Sequence, residues 1–303
     1  MRIGILGATG FIGSHLLKYV ASKGVDCVAF SRKSIKDNSE QVSWVKIDQS
    51  SNQDDFGWLD QGVDVLIDCA GPADISCNEK GLKDLFSSHI ASKKNIFMHC
   101  AALGVKHYVY VSSVKVYGEI SESGPFDEFS VPNPGSCYGE MKLEIENALR
   151  IQAGSTTTVL SILRLPMVYS DMESQSLLRL KSYLKKGLPL PFLDVGNFRS
   201  ILSTDNLSSF LFSLVSHSVQ KSEIWLVSDE VPVSTTSLVE TFAVYHNLKP
   251  RLFYMPKVLM KMILILLGKK ALYQKLYCDL VVNDAFSRRK LDWHPQSSGD
   301  AFK

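Results

Sequence analysis

The stretch GATGFIG, residues 7–13, lies between the apolar run RIGIL and an amphipathic segment that begins at Phe11. Its glycines, Gly7, Gly10 and Gly13, have the spacing GxxGxxG. Glycine has no Cβ atom, so the backbone can approach a pyrophosphate closely, and the N–H groups of a helix N-terminus favour its negative charge. Because a strand pattern and a helix pattern flank the glycines in that order, the stretch predicts a dinucleotide-binding turn.

The fold class follows from the pattern beyond this turn. Short apolar runs alternate with longer helical patterns up to about residue 165, which is typical of βαβ units. The predicted strands are 2–6, 26–31, 42–47, 63–69, 107–112 and 157–163, and the predicted helices are 11–22, 80–103 and 138–151. We therefore expect an α/β fold, with a doubly wound parallel sheet of Rossmann type in residues 1–165. Prolines interrupt short mixed elements after that point, which predicts a smaller C-terminal substrate lobe, 166–303, interwoven with the first domain.

Composition narrows the class of protein. The 303-residue chain has 45% hydrophobic and 21% charged residues, and its net charge of +2 is too weakly basic for a nucleic-acid partner. Its six cysteines form no CxxC pair, so we expect no metal site and a reduced, cytoplasmic environment. We also expect no signal peptide, because the first strand begins at Arg2. The apolar stretch 258–268 is too short to span a bilayer, and we expect a packed helix there rather than a membrane-surface attachment.

The end of the second predicted strand indicates which dinucleotide binds. It reads AFSRKS, with Ser31, Arg32 and Lys33 and no acidic residue. An acid at this place bonds the ribose hydroxyl of NAD, whereas a basic residue accommodates the 2′-phosphate of NADP. The segment favours NADP, with NAD as the alternative. Asp48, after the third strand, is either a contact to the adenine ring or a turn residue.

Two further segments carry the candidate catalytic groups. HYVYVSSVKVYGE, residues 107–119, is predicted to end at the carboxyl edge of the sheet, where ligands bind in open α/β folds. In CYGEMKLEIENALR, residues 137–150, Tyr138 and Lys142 are four residues apart and share one helix face. A ketone or alcohol that exchanges a hydride with a nicotinamide needs a partner for the proton on its oxygen. A neighbouring ammonium group favours the phenolate form of a tyrosine, and Lys142 is placed to supply that charge. Tyr138 is thus the candidate acid–base group, and Ser113 is placed to hydrogen-bond the substrate oxygen.

These motifs together resemble the extended short-chain dehydrogenase/reductases of the NAD-dependent epimerase/dehydratase family, over almost the whole chain. GATGFIG matches the family's cofactor turn, VSSVKVYGE its serine segment and YGEMK its YxxxK motif. LRLPMVY, residues 163–169, is similar to the loop beside the nicotinamide. Segments 185–207, 225–235 and 290–295 resemble the branch that acts on nucleotide-diphosphate sugars in surface-polysaccharide synthesis.

The resemblance implies roles for individual residues. Ser113 would donate to the substrate oxygen, Tyr138 would be the acid–base residue, and Lys142 would support it and hold the nicotinamide ribose. Arg199 takes the place of an arginine that binds the substrate's diphosphate, and Lys115 is expected to touch the sugar. The implied cofactor contacts are Gly7, Thr9, Gly10, Phe11, Ile12, Gly13, Ser31, Arg32, Asp48, Cys69, Ala70, Tyr138, Lys142 and Pro166.

Three functions are compatible with these expectations. The leading hypothesis is NAD(P)H-dependent reduction of a 4-keto-6-deoxy nucleotide-diphosphate sugar. The alternative within the same fold is 4-epimerisation of a nucleotide sugar such as UDP-glucose or UDP-N-acetylglucosamine. The alternative from another class is a catalytically silent cofactor-sensing protein, against which the intact set of Ser113, Tyr138 and Lys142 argues. The resemblance also implies a homodimer through the helices at 80–103 and 138–151.

Overall fold

The computed structural model describes residues 1–35, 40–47, 56–72, 82–170, 175–217 and 219–296. The strands are β1 (Ile3–Leu6), β2 (Cys27–Ser31), β3 (Val42–Lys46), β4 (Val65–Asp68), β5 (His107–Ser113), β6 (Val159–Leu165), β7 (Met167–Tyr169), β8 (Pro189–Leu193), β9 (Ile201–Ser203), β10 (Glu223–Leu226) and β11 (Arg251–Tyr254). The helices are α1 (Phe11–Ser22), α2 (Leu82–Ala102), α3 (Cys137–Ala153), α4 (Gln175–Lys185), α5 (Thr204–Ser216), α6 (Thr235–Tyr245), α7 (Lys257–Leu266), α8 (Lys270–Tyr277) and α9 (Ala285–Leu291).

The centre of the fold is a parallel sheet with the strand order β10-β6-β5-β4-β1-β2-β3. Strands β1, β2, β4 and β5 are buried along their whole length, which is why they read as nearly continuous apolar runs. The order reverses at β1, as in a doubly wound fold. The expected Rossmann-type sheet is therefore confirmed.

Helices cover both faces of this sheet. Alternate residues of a strand point to opposite faces, so Ile3 and Ile5 pack with α1 and α5, whereas Leu6 packs with α2 and α3. The two helices on each face also contact each other. Each face thus has its own apolar layer, and α3 is held against the sheet beside α2.

The second half of the chain contributes to both parts of the molecule. Strand β10 adds to the edge of the central sheet beside β6, and α5 packs on α1. The pairs β7–β9 and β8–β11 lie outside the central sheet, and a separate apolar cluster joins α4, α6 and β8. In the described part of the chain, no helix is both long and apolar enough to cross a bilayer.

The predicted site residues follow the strand ends at one edge of the sheet. Strands β1, β2, β4, β5 and β6 run parallel and end at Leu6, Ser31, Asp68, Ser113 and Leu165. The glycine turn, Arg32, Cys69 and Pro166 come directly after these ends. The topology therefore gathers residues far apart in sequence at the edge where open α/β folds bind their ligands.

Candidate active site

The glycine turn folds tightly onto the start of α1. Gly7 has a φ of +81°, which side chains rarely adopt, and the Gly10 N–H donates to the Gly7 carbonyl at 2.9 Å. A Cβ on Gly13 would lie 2.3 Å from the Gly7 oxygen, and a Cβ on Gly7 would lie 2.9 Å from the Ala70 nitrogen. Gly7 and Gly13 thus have no room for a side chain. Because glycines lack a Cβ atom, a ligand can also approach the backbone of this turn closely.

The N-terminus of α1 is electrostatically suited to a phosphate. Gly10, its N-cap, supplies no side-chain cap, and no acidic side chain lies in the first turn. The helix dipole and the N–H groups of that turn therefore leave a positive end beside the narrow backbone. The predicted contact residues Thr9, Phe11 and Ile12 lie in this segment, so the residues present fit a dinucleotide pyrophosphate.

At the end of β2 the side chains differ in exposure. Ser31 is buried, and its Oγ accepts a hydrogen bond from the Lys33 N–H at 3.1 Å. Arg32 and Lys33 are exposed to solvent. Two basic side chains are therefore free to reach a ligand that extends from the neighbouring glycine turn. Asp48 lies outside the described residues.

A buried charge cluster lies under the turn that follows β4. The Asp68 carboxylate accepts from Lys93 Nζ at 2.6 and 2.7 Å, from the Tyr108 hydroxyl at 2.6 Å and from the Ala70 N–H at 3.0 Å. Because the Ala70 backbone also packs against Gly7, this cluster fixes the Cys69–Ala70 turn against the glycine turn. The sequence reasoning missed Lys93, because only the folded sheet brings this lysine of α2 to the acid of VLID.

Two ammonium groups lie close to the Tyr138 ring. Lys142 Nζ is 5.8 Å from the centroid of its ring, and Lys115 Nζ is 5.6 Å from the same centroid. Lys142 is buried and donates to the Val111 carbonyl at 2.9 Å, which links α3 to β5. A ring this close to two cations is favoured electrostatically and would favour a developing phenolate. The structure thus brings together Tyr138 and Lys142, as predicted, and adds Lys115 to the pair.

The surroundings of Lys142 weaken its hold on a proton. Burial, followed by the charge of Lys93, lowers the pKa of Lys142 from 10.5 to about 8, although Asp68 and Glu146 oppose this change. His89 lies on the same helix as Lys93. Burial and the charges of Lys93 and Lys142 lower the pKa of His89. Lys142 therefore remains an ammonium group at neutral pH, but a readily titrated one.

A second buried ion pair fixes α3 against the sheet. Arg164 of β6 donates from Nε to both oxygens of Glu146 at 3.1 Å, and its Nη2 also bonds that carboxylate. The Ser112 hydroxyl donates to Glu146 as well. Since Glu146 lies one turn after Lys142 on α3, this pair sets the position of the helix that carries Tyr138 and Lys142.

Glu119 links Lys115 to the N-terminus of α3. Its carboxylate lies 3.7 Å from Lys115 Nζ and accepts from the Ser136 hydroxyl at 2.7 Å. Ser136 is the N-cap of α3, since its Oγ accepts from the Gly139 N–H. Ser113, at the end of β5, accepts from the Lys115 N–H at 3.3 Å through its Oγ. Glu119 stands in the quoted segment VSSVKVYGE, yet its position could not be inferred from its residue type alone.

Arg199 lies just before β9, in the second half of the chain. Its Nη1 donates to the Cys278 carbonyl at 3.0 Å and to the Gln274 carbonyl at 3.3 Å. Burial lowers the pKa of Arg199, whereas the charges of Glu119, Cys278 and Asp279 oppose this effect. A guanidinium has five N–H donors, so the two carbonyl contacts do not use all the donors with which Arg199 could bind a phosphate.

The described cysteines include free thiols and one that is disulfide-bonded. Cys137, directly before Tyr138, is disulfide-bonded, which the absence of a CxxC pair did not predict, whereas Cys27, Cys69, Cys100 and Cys278 are free. Burial and the Asp68 charge raise the pKa of the Cys69 thiol to about 12, so it is not a ready nucleophile. No group of three or more His, Cys, Asp or Glu side chains among the described residues is arranged to hold a metal ion.

The desolvated position of Lys142 predicts an unusual pH dependence of stability. Between about pH 8 and 10.5 the unfolded chain keeps the Lys142 proton that the folded chain has released, so folding becomes more favourable as pH rises. In Lys142→Met this contribution is absent. The unfolding free energy of the wild type, relative to this variant, should therefore increase by up to about 1.4 kcal/mol per pH unit in this range.

Denaturant unfolding at about pH 7 and about pH 10 measures this difference. Lys94→Met, which removes an exposed lysine of α2, is the matched control and should show no such trend. A wild-type-minus-variant difference that stays constant or falls with pH would contradict the desolvated environment of Lys142.

Comparison with known proteins agrees with this architecture. Residues 3–217 match the model of the NAD dependent epimerase/dehydratase family. The chain is similar to a UDP-glucose 4-epimerase of Vibrio cholerae, with 27% identity over 99% of this chain and 92% of the relative. It is also similar to an N-acetyl-alpha-D-glucosaminyl-diphospho-ditrans,octacis-undecaprenol 4-epimerase of Escherichia coli O157:H7, with 24% identity over 78% of this chain and 69% of the relative.

Among solved structures, MoeE5 in complex with UDP-glucuronic acid and NAD has the same fold, with a TM-score of 0.79, 20% identity and coverage of 99% of this chain and 96% of that one. The family match covers more than half of the chain and includes the glycine turn, Ser113, Tyr138 and Lys142. The chain therefore belongs to the NAD dependent epimerase/dehydratase family.

Proposed function

We propose that the chain is a cytoplasmic 4-epimerase of a nucleotide-diphosphate sugar that works with a bound nicotinamide dinucleotide. The observation that carries its acid–base chemistry is the position of the Tyr138 ring, whose centroid is 5.8 Å from Lys142 Nζ and 5.6 Å from Lys115 Nζ. Support also comes from relatives that are named as 4-epimerases of a UDP-sugar and of a lipid-linked sugar.

Side chains of the protein would remove the proton from the sugar oxygen and return it. The nicotinamide, when bound, supplies the hydride acceptor and donor. With the dinucleotide bound, the phenolate of Tyr138 would take the proton from the 4-hydroxyl of the sugar, and the resulting phenol would return a proton to the same oxygen once the configuration at that carbon is inverted. Lys142 favours the phenolate during this exchange, and the Ser113 hydroxyl holds the oxygen in line.

Arg199 is proposed to bind the diphosphate of the substrate. Its contacts with the Gln274 and Cys278 carbonyls hold the guanidinium in a fixed place, and a guanidinium matches phosphate oxygens in geometry as well as charge. Lys115, which is a third exposed and paired with Glu119, is proposed to contact the sugar. The two basic residues would then bind opposite ends of the substrate, with the 4-position near Tyr138.

A second candidate function is the reduction of a 4-keto nucleotide sugar. The exposed Arg32 and Lys33 favour it, because they suit the 2′-phosphate of NADP, which reductases bind and release as a co-substrate. An epimerase has no need to release its cofactor. Both functions use the same Tyr138, Lys142 and Ser113, so only the net consumption of cofactor separates them.

We also propose a homodimer formed through α2 and α3. These helices lie side by side on one face of the sheet, and each exposes an apolar residue, Met98 at 36% and Ile151 at 72%. Burial of such residues against a second copy would remove apolar area from water.

The assignment of Tyr138 predicts the outcome of a turnover assay. The purified chain should convert UDP-glucose or UDP-N-acetylglucosamine to the 4-epimer without net change in nicotinamide absorbance, whereas a 4-keto sugar reduced with stoichiometric cofactor oxidation would identify the reductase. Tyr138→Phe should lower turnover at least about 100-fold, because it removes the acid–base group, and should leave cofactor affinity nearly unchanged.

Tyr183→Phe is the matched control, because Tyr183 is 47% exposed on α4, and it should be fully active. Turnover of Tyr138→Phe close to that of this control would show that the proton passes through another group.

The basic end of β2 predicts the preferred dinucleotide. We propose that NADP binds at least as tightly as NAD, and that the double variant Arg32→Ala with Lys33→Ala loses about tenfold or more in NADP affinity while NAD affinity is retained. Titration calorimetry with each dinucleotide measures this, and Lys18→Ala with Lys23→Ala, also exposed, is the control. A wild type that prefers NAD, or a double variant that binds both dinucleotides as before, would overturn the proposal for Arg32.

A further inference from the structure

Helix α7 exposes an apolar surface that nothing else in the described chain covers. Only Met260 and Leu264 of this helix are buried, against Val195 and Tyr277. We name the exposed apolar residues on and beside α7 and α8 the α7–α8 face: Val258, Leu259, Met262, Ile263, Ile265, Leu266, Leu267 and Leu272. Leu266 is 84% exposed. A helix that is apolar around most of its circumference is normally inside a protein or in contact with lipid, and an exposed apolar patch of this kind marks an interaction site.

The charge of this segment is one-sided. Residues 249–278 contain seven basic residues and no Asp or Glu, whereas the whole chain has a net charge of only +2. The basic residues are Lys249, Arg251, Lys257, Lys261, Lys269, Lys270 and Lys275. Lys261 and Lys270 are exposed and lie on α7 and α8 themselves. The surface thus combines exposed apolar side chains with a surplus of positive charge, which is the composition of helices that lie in the plane of an anionic membrane.

We propose that the α7–α8 face binds the surface of a bilayer that contains anionic lipids. Charge complementarity favours this partner over a second copy of the chain. A two-fold contact through this face would bring two strongly basic segments together, and like charges at an interface are unfavourable. Apolar side chains such as Ile263 and Leu266 enter the boundary between headgroups and acyl chains, while the lysines pair with lipid phosphates. The α7–α8 face lies on the membrane and does not span it.

Docking in this way would position the second lobe relative to the membrane. Arg199 donates to the carbonyls of Gln274 and Cys278, at the end of α8, and Lys257 at the start of α7 donates to the Gly196 carbonyl. The loop that holds Arg199 is therefore bonded directly to the docking helices. A substrate diphosphate would bind close to the bilayer; this consequence rests on the proposed function, whereas the docking itself does not.

The test is vesicle flotation of the full chain. The wild type should float with vesicles of equal parts phosphatidylglycerol and phosphatidylcholine, bind much less to pure phosphatidylcholine, and lose binding at high salt, because surface charge is screened. Ile263→Glu with Leu266→Glu should weaken binding more than about tenfold, since acidic groups replace apolar ones that enter the lipid. Lys261→Glu with Lys270→Glu should also weaken it more than about tenfold.

Two matched controls separate the α7–α8 face from general effects. Val244→Glu introduces an acid at an apolar residue of α6 that is 74% exposed, and Lys18→Glu with Lys94→Glu reverses two exposed lysines on α1 and α2. Both controls should float like the wild type. All variants should keep the wild-type melting temperature, because the changed side chains are exposed, and the α7 and α8 variants should keep their turnover of a freely dissolved nucleotide sugar.

Three outcomes would overturn the proposal. The first is a wild type that binds neither kind of vesicle. The second is equal binding to the anionic vesicles and to pure phosphatidylcholine vesicles, which would show that lipid charge does not contribute to binding. The third is a wild-type oligomer, seen by sedimentation velocity, that dissociates in Ile263→Glu with Leu266→Glu while vesicles are not bound, since the α7–α8 face would then be an interface between copies. Loss of turnover in Tyr138→Phe with vesicle binding intact would leave the docking proposal supported, because the two sites are tested separately.

Discussion

The arrangement of the site depends on one contact, the hydrogen bond from Lys142 Nζ to the Val111 carbonyl. It holds an ammonium group at a fixed distance from the Tyr138 ring and ties α3 to the strand that ends at Ser113. The contact requires α3 to be fixed in its position along the sheet. The buried ion pair between Glu146 of α3 and Arg164 of β6 fixes it there. A buried ion pair of this kind is weak evidence for stability, so we interpret it as a device that fixes geometry.

The buried charges around Asp68 also fix the geometry of the site. The Asp68 carboxylate accepts hydrogen bonds from Lys93, Tyr108 and the Ala70 N–H. Burying a carboxylate costs much free energy unless it is paired and hydrogen-bonded in this way. The result is a rigid turn behind the glycine stretch. It also places a second buried ammonium group near Lys142, and this charge adds to the larger effect of burial that lowers the pKa of Lys142 to about 8. The glycine turn and the Tyr138–Lys142 pair are therefore linked through one set of buried charges.

Much of this could be predicted from sequence because it is encoded locally. Helix α1 begins and ends where the pattern predicts, and the glycine turn carries its own strand and helix. Tyr138 and Lys142 share a helix face by spacing alone. The roles of Lys93 and Glu119 could not be inferred, because each depends on a partner that only the folded sheet brings near. The exposure of α7 was missed for a related reason: an apolar run such as VLMKMILILL predicts burial, and sequence does not say whether another element covers it.

The central claim is that the phenol of Tyr138 exchanges a proton with the 4-oxygen of a sugar. A crystal structure of the chain with a nicotinamide dinucleotide and UDP-glucose tests it most directly. The account predicts that the Tyr138 oxygen lies within about 3 Å of the sugar's 4-oxygen, with Lys142 still bonded to the Val111 carbonyl. A bound sugar whose 4-oxygen is held by other groups, with the Tyr138 oxygen directed away from it, would contradict the account.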